Sequence, residues 1–178
     1  MKQILAIVAH NRPGVLMKII GLISRRGYNI ESLTSGSAQK EGYARLTITV
    51  DADEPTIQQI CKQVAKISEV ERIKVLNREN SALRGMLLVK VRVGDKQMEI
   101  LQLAAAFRSH AIDVTGNSMT FVNTGGEEKL TAFVNALRRY GVVEMVQTGI
   151  VALERGDNAL EIGESRYEWP DEAEKEGK

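Results

Sequence analysis

The sequence is poor in the residues that carry most metal and redox chemistry. Among 178 residues it holds one cysteine, two histidines and one tryptophan, and aromatic residues make up 4% of the chain. A single cysteine, Cys61, excludes an internal disulfide and any multi-cysteine metal site. We therefore expect no metal site, and the cysteine usage favours a reducing compartment, the cytoplasm.

Excess charge and long apolar runs are also missing. Lys+Arg total 24 against 23 Asp+Glu, a net charge of +1, which gives no general attraction to nucleic acid or membranes. No apolar run approaches the roughly 18 residues that span a bilayer. A strand-like segment follows Met1 directly, which predicts that there is no signal peptide. We expect no nucleic-acid and no membrane partner, because an RNA-binding sheet would also need several aromatics on its central strands.

Catalytic motifs are absent as well. His10 and His110 are isolated, and Cys61 falls in an apolar helical stripe, where a small core residue is the natural interpretation. The chain has no phosphate loop, no Gly-x-Gly-x-x-Gly after a strand and no Gly-x-Ser-x-Gly elbow. We predict no catalytic residues and no cofactor-binding residues in this chain.

The first half alternates strand and helix patterns. Residues 2–9 read as a buried strand, and Pro13 suits the first position of a helix that ends at Gly27. Strands are predicted at 28–38 and 43–50, the second with Ala44 to Val50 alternating between a dry face and a wet face. A helix starting at Asp53-Glu54-Pro55 and a strand at 70–76 complete the order β-α-β-β-α-β, the ferredoxin-like arrangement.

The same order returns in the second half. A strand at 86–93 precedes a helix with Asp95 as its predicted N-cap. Short strands at 111–115 and 119–122, a helix after Gly125-Gly126 and a strand at 142–153 follow. The predicted class is α+β: two ferredoxin-like modules in tandem, each a four-stranded antiparallel sheet with two helices on one face. The boundaries are 1–77 for the first module, 78–84 for a linker and 85–156 for the second module.

The last segment, 157–178, is strongly acidic. From Gly156 onward, eight acidic residues stand against three basic ones. Such a segment buries too little apolar surface to offset its ordering entropy, so we predict a flexible tail. The uncovered sheet faces and edges of two small modules favour a homo-oligomer.

The most informative segment is the turn from Asn11 to Leu16. Gly14 carries no side chain where the first-turn amides of the helix point outward, so a ligand could approach the backbone closely. These amides and the positive helix end suit a carboxylate, with Asn11 at the rim. The residues alone fit a plain helix entry equally well.

Specific runs of residues resemble one protein family. Asn11-Arg12-Pro13-Gly14-Val15-Leu16 resembles the effector turn of ACT domains, and Arg26-Gly27-Tyr28-Asn29-Ile30-Glu31-Ser32-Leu33 resembles the small subunit of acetolactate synthase (acetohydroxyacid synthase). Further matches run to Arg155-Gly156-Asp157, so the similarity covers roughly residues 1–157.

The resemblance implies an N-terminal ACT domain that binds a branched-chain amino acid, usually valine, between two chains of a homodimer. Its carboxylate would meet the backbone of Gly14, Val15 and Leu16 beside Asn11. Asn29 and Ile30 of the neighbouring chain would hold the amino group and the side chain.

The resemblance also implies a partner, the separate large catalytic subunit. That subunit holds thiamine diphosphate, Mg²⁺ and FAD and condenses two 2-oxo acids with loss of CO₂. This chain would activate it and confer feedback inhibition in branched-chain amino-acid biosynthesis. The alternative is a stand-alone ACT-type amino-acid sensor that acts on another partner.

Overall fold

The computed structural model describes residues 2–160, 162 and 166–168. Two compact units are present, the first formed by residues 2–82 with the described residues after 151, the second by Leu83–Val151. The elements of the first unit are β1 (Lys2–His10), α1 (Val15–Ser24), β2 (Ile30–Ser37), β3 (Tyr43–Asp51), α2 (Glu54–Val64) and β4 (Val70–Leu76). Next come β5 (Ser81–Arg92), α3 (Gln97–Ala106), β6 (His110–Val114), β7 (Ser118–Gly125), α4 (Glu127–Leu137), β8 (Val142–Gln147), β9 (Val151–Glu154) and β10 (Tyr167–Glu168).

Both units have the predicted topology. The first sheet has the strand order β4-β1-β3-β2 and the second has β8-β5-β7-β6. In both sheets the four strands pair antiparallel. The α+β class with tandem ferredoxin-like modules is therefore confirmed.

The core of the first unit lies between one face of its sheet and the two helices. β1 and β3 are the central strands; β1 is apolar from Ile4 to Ala9, and β3 alternates apolar and polar residues. Alternate residues of both strands, such as Leu5, Ile7 and Ile48, pack on Val15, Ile19 and the α2 stripe. The second unit repeats this arrangement with Leu87, Val89 and Val91 against α3 and α4.

The opposite face of the first sheet is also covered, contrary to the predicted wet face of β3. Thr47 and Thr49 are 3% and 5% exposed, and Ile4 and Ala6 of β1 are fully buried. Part of this cover is β9 itself, since Arg45 Nη2 donates to the carbonyl of Ala152 at 3.0 Å. The alternating pattern identified the core face correctly, but a returning segment distant in sequence buries the other.

Two predicted helix starts are wrong. Pro13 lies in the turn before α1, which begins at Val15 with Gly14 as its cap. Asp95 lies in a single 3₁₀ turn, and α3 begins two residues later without a side-chain cap. In both cases an extra turn precedes the helix, and helical periodicity does not reveal such a turn.

Three segment boundaries also differ from the predictions. β5 begins at Ser81, so the last part of the predicted 78–84 linker is strand. The predicted strand 142–153 is broken at residues 148–150 into β8 and β9, and the chain after Val151 belongs to the first unit. Within the predicted flexible tail, Tyr167–Glu168 form β10, which adds to the β4 edge of the first sheet. Residues 161, 163–165 and 169–178 of that prediction lie outside the described residues.

Candidate functional site: the turn before the first helix

Gly14 forms the entry to α1 in a conformation that favours glycine. Its φ is +84°, in the left-handed region, and a Cβ built at this position meets nothing within 4 Å. Gly14 is therefore required by its backbone angle rather than by crowding. The space in front of it is open to a ligand.

The first turn of α1 leaves main-chain donors free. The amide of Val15 donates to the carbonyl of Arg12 at 3.3 Å, and that of Lys18 donates to Gly14 at 3.0 Å. Between them, the amides of Leu16 and Met17 have no main-chain acceptor among the described residues. A ten-residue helix thus presents two free N–H groups at its positive end, and no side chain caps them.

Asn11 lies at the rim of this turn, as predicted. Its side chain is exposed, and its main-chain N–H donates to the carbonyl of Gly42 at 2.8 Å. Gly42 belongs to the turn between β2 and β3, so the hydrogen bond joins the two turns. Asn11, Gly14, Val15 and Leu16 are thereby brought together at one end of the sheet, Val15 by its backbone because its side chain is in the core.

Asn29 and Ile30 lie at the opposite end of the same sheet. Ile30 pairs with Val50, which pairs with Gln3, whereas His10 at the other end of β1 pairs with Tyr43. His10 follows Gln3 by seven residue steps along β1, a distance of roughly 23 Å at about 3.3 Å per step. One chain therefore does not bring the two predicted halves of the site together.

A shallow groove lies beside Gly14, and no local sequence pattern indicates it. Its volume is about 550 Å³. The lining residues come from α1 and from the loop before β4: Gly14, Met17, Lys18, Leu22, Arg25, Ile67, Ser68 and Glu69. Met17 is 69% exposed here, so the groove has an apolar wall next to the free amides.

An ion pair between Lys18 and Glu69 crosses this groove. Hydrogen bonds from Lys18 and from Ser68, at 2.7 Å, lower the pKa of the Glu69 carboxyl to about 2. Because 51 residues separate the two partners, no local pattern could have predicted the pair. The carboxylate neutralises Lys18, and the amides of Leu16 and Met17 remain as free donors beside the groove.

The cysteine and the candidate metal ligands can be assessed in the described part of the chain. Cys61 is fully buried, and burial raises the pKa of its thiol to about 12, which makes it a poor nucleophile. In the same residues there is no group of three or more His, Cys, Asp or Glu side chains that could hold a metal ion. No helix among them is long and apolar enough to cross a membrane.

The comparisons with known proteins cover both units. Residues 5–72 match the family model "AHAS small subunit-like ACT domain", and residues 84–156 match "Small subunit of acetolactate synthase". The "Probable acetolactate synthase small subunit" of Archaeoglobus fulgidus is 38% identical over 158 residues, 88% of this chain and 99% of the relative. The acetolactate synthase small subunit of Mycolicibacterium smegmatis is 35% identical over 88% of this chain and 92% of its own length.

A solved structure agrees with these relatives. The crystal structure of the acetolactate synthase small subunit from Thermotoga maritima is 39% identical and superposes with a TM-score of 0.84. The match covers 89% of this chain and 99% of that chain. The resemblance inferred from the residues is confirmed: the chain belongs to the family of acetolactate synthase small subunits.

Proposed function

We propose that this chain is the regulatory subunit of acetolactate synthase and senses a branched-chain amino acid, valine first among them, at the Gly14 turn. The observation that carries the proposal is the pair of free amides in front of Gly14, in a chain of this family. The ligand's carboxylate would accept hydrogen bonds from the backbone around Gly14, Val15 and Leu16, with Asn11 beside it.

The chemistry of the turn suits a small zwitterion. A charge-assisted hydrogen bond contributes about 1.5–3 kcal/mol, and burial of an isopropyl group contributes about 1.5–3 kcal/mol. The loss of translational and side-chain freedom offsets much of this sum. The balance corresponds to micromolar to millimolar affinity, a range that suits the sensing of a metabolite pool.

A homodimer would supply the second half of the site. β2 is an edge strand, so two copies can pair through it. Its last residue, Ser37, pairs with Ala44 beside the Gly14 end of the sheet, and its first residue, Ile30, lies at the far end. Antiparallel pairing of two β2 strands would therefore carry Asn29 and Ile30 of one copy toward Gly14 of the other.

Regulation follows from the difference in ligand affinity between two states of the assembly. A ligand that bridges two chains favours one dimer geometry, and a coupling of about 1–3 kcal/mol to the catalytic subunit suffices for feedback inhibition. We place thiamine diphosphate, Mg²⁺ and FAD in the large subunit, where the condensation of two 2-oxo acids takes place. This chain would raise the activity of that subunit and make it sensitive to valine.

The test is an activity assay of the large subunit with and without this chain and valine. Gly14→Asp places a negative charge where the ligand carboxylate must lie, so we expect activation to persist and valine sensitivity to fall at least tenfold, about 1.4 kcal/mol. Gly14→Asn introduces a side chain of nearly the same shape as that of Asp but without its charge, and Asn also tolerates the left-handed backbone. We expect Gly14→Asn to lower valine sensitivity less than Gly14→Asp does, and the difference measures the effect of the charge.

A matched control lies in the second unit. Gly94 also has a positive φ, +48°, with nothing within 4 Å of a built Cβ. Gly94→Asp should leave valine sensitivity unchanged. Full valine sensitivity in the Gly14→Asp variant would refute the site, and a large subunit indifferent to this chain would favour the stand-alone sensor.

A further inference from the structure

A short segment of the acidic tail docks on the edge of the first sheet. Tyr167 and Glu168 pair in parallel with Ile73 and Lys74 of β4. The amide of Ile73 donates to the carbonyl of Arg166 at 2.8 Å. β10 is thus the fifth strand of the first sheet; it lies next to β4, at the edge opposite β2.

The side chain of Tyr167 extends the core of the first unit. It is half-buried and packs against the core cluster that contains Cys61. Burial, with the nearby Cys61 and Glu54, raises the pKa of the phenol to about 12. The tyrosine is thus in the position of a core residue, although it lies in a segment whose composition is that of a solvated tail.

This contact falls outside what the family accounts for. The family model of the second half ends at residue 156. The Thermotoga maritima subunit is matched over 99% of its length by 89% of this chain. The assignment to the family therefore gives residues 166–168 no role.

We propose that residues 166–168 are a strap by which each chain closes its own β4 edge, with Tyr167 as the anchor. An open edge strand presents unpaired N–H and C=O groups to any extended chain. With the strap in place the sheet ends at β10 on one side and at β2 on the other, so strand addition by a second copy is directed to β2. The strap itself does not depend on valine binding.

The test is residue-resolved amide hydrogen exchange on the full-length chain and its Tyr167→Ala variant. Loss of the ring should undock the strap, so the Ile73 amide should exchange about tenfold faster or more in the variant. Neighbouring amides of a strand point to opposite sides, so the Lys74 amide faces β1 and should stay protected. That protection shows that the sheet of the variant is folded.

Tyr167→Phe is the matched control, since it keeps the ring and removes only the hydroxyl. It should protect Ile73 as the unmodified chain does. Equal exchange at Ile73 in the unmodified chain and Tyr167→Ala would overturn the proposal. Protection of Ile73 that disappears on dilution would also overturn it, because the strand would then come from a second copy.

Discussion

At the scale of single residues, Lys74 and Glu154 form a buried ion pair in the first unit. Lys74 Nζ lies 2.9 Å from Glu154 Oε2, and the two side chains are 8% and 6% exposed. Arg45 is near the same carboxylate, although desolvation outweighs that attraction and lowers the pKa of its guanidinium. Glu154 therefore neutralises positive charge on the sheet face that carries Lys74 and Arg45.

Removal of one partner should destabilise the protein strongly. Glu154→Gln leaves Lys74 buried without its carboxylate, and breaking a buried pair costs about 3–5 kcal/mol. Urea unfolding measures the change in free energy. The double variant Lys74→Met with Glu154→Leu should recover most of the loss, and a double variant no more stable than Glu154→Gln would contradict this account.

The Lys18–Glu69 pair makes stability depend on pH. The pKa of Glu69 is lowered from 4.5 to about 2 in the folded protein. Above pH 4.5 its contribution is fully present, and it is lost as the pH falls toward about 2, because the unfolded chain takes up a proton first. We expect the unmodified chain to unfold at higher urea than Glu69→Gln at pH 6, and this difference to shrink below pH 4.5.

At the scale of elements, the two helices of the first unit differ in how they begin. α2 has Asp53 as N-cap, whose side chain accepts from the amide of Thr56 at 3.1 Å, with Pro55 in its first turn. α1 has Gly14 and no side-chain cap. A side chain of the protein thus caps α2, whereas the first turn of α1 has no side-chain cap.

The contribution of the Asp53 cap to the free energy of unfolding can be measured by substitution. Asp53→Ala should lower the free energy of unfolding by about 1 kcal/mol, because one amide of the first turn loses its acceptor. Asp53→Asn keeps an acceptor and should cost much less. Equal losses in both variants, measured by urea unfolding, would assign the effect to charge rather than to capping.

These contrasts show which elements a sequence can predict. The prediction of β4 at 70–76 agrees residue for residue with the structure, because polar turn residues bound this segment on both sides. The Gly14 turn was found because glycine at a helix entry has a local signature. The Lys18–Glu69 pair, the burial of Thr47 and the docking of Tyr167 depend on residues far apart in sequence, and no local spacing encodes them.

At the scale of the whole molecule, the separation of Gly14 from Asn29 bears on the proposed site. A site built from both residues requires two copies, since one chain places them at opposite ends of its sheet. Each two-fold dimer would then contain two such sites, and each site would draw one residue from each chain.

Mixing two inactive variants should therefore restore binding. Gly14→Asp and Asn29→His should each abolish valine binding as homodimers. A heterodimer has one intact site, so random exchange at equal amounts should give about one quarter of the unmodified number of sites. Calorimetry of the mixture counts them, and an absence of recovery in exchanged dimers would place both residues in one chain's site or outside it.

The return of the chain to the first unit after Val151 has a consequence for synthesis on the ribosome. Lys74 emerges roughly 80 residues before Glu154, a delay of roughly 4–16 s at about 5–20 residues per second. During that interval the nascent first unit has neither the carboxylate that neutralises Lys74 nor the strand that covers β4. Completion of the first unit thus waits for the synthesis of Glu154 and Tyr167, and a chain stalled before them would expose a cationic sheet and a bare edge to chaperones.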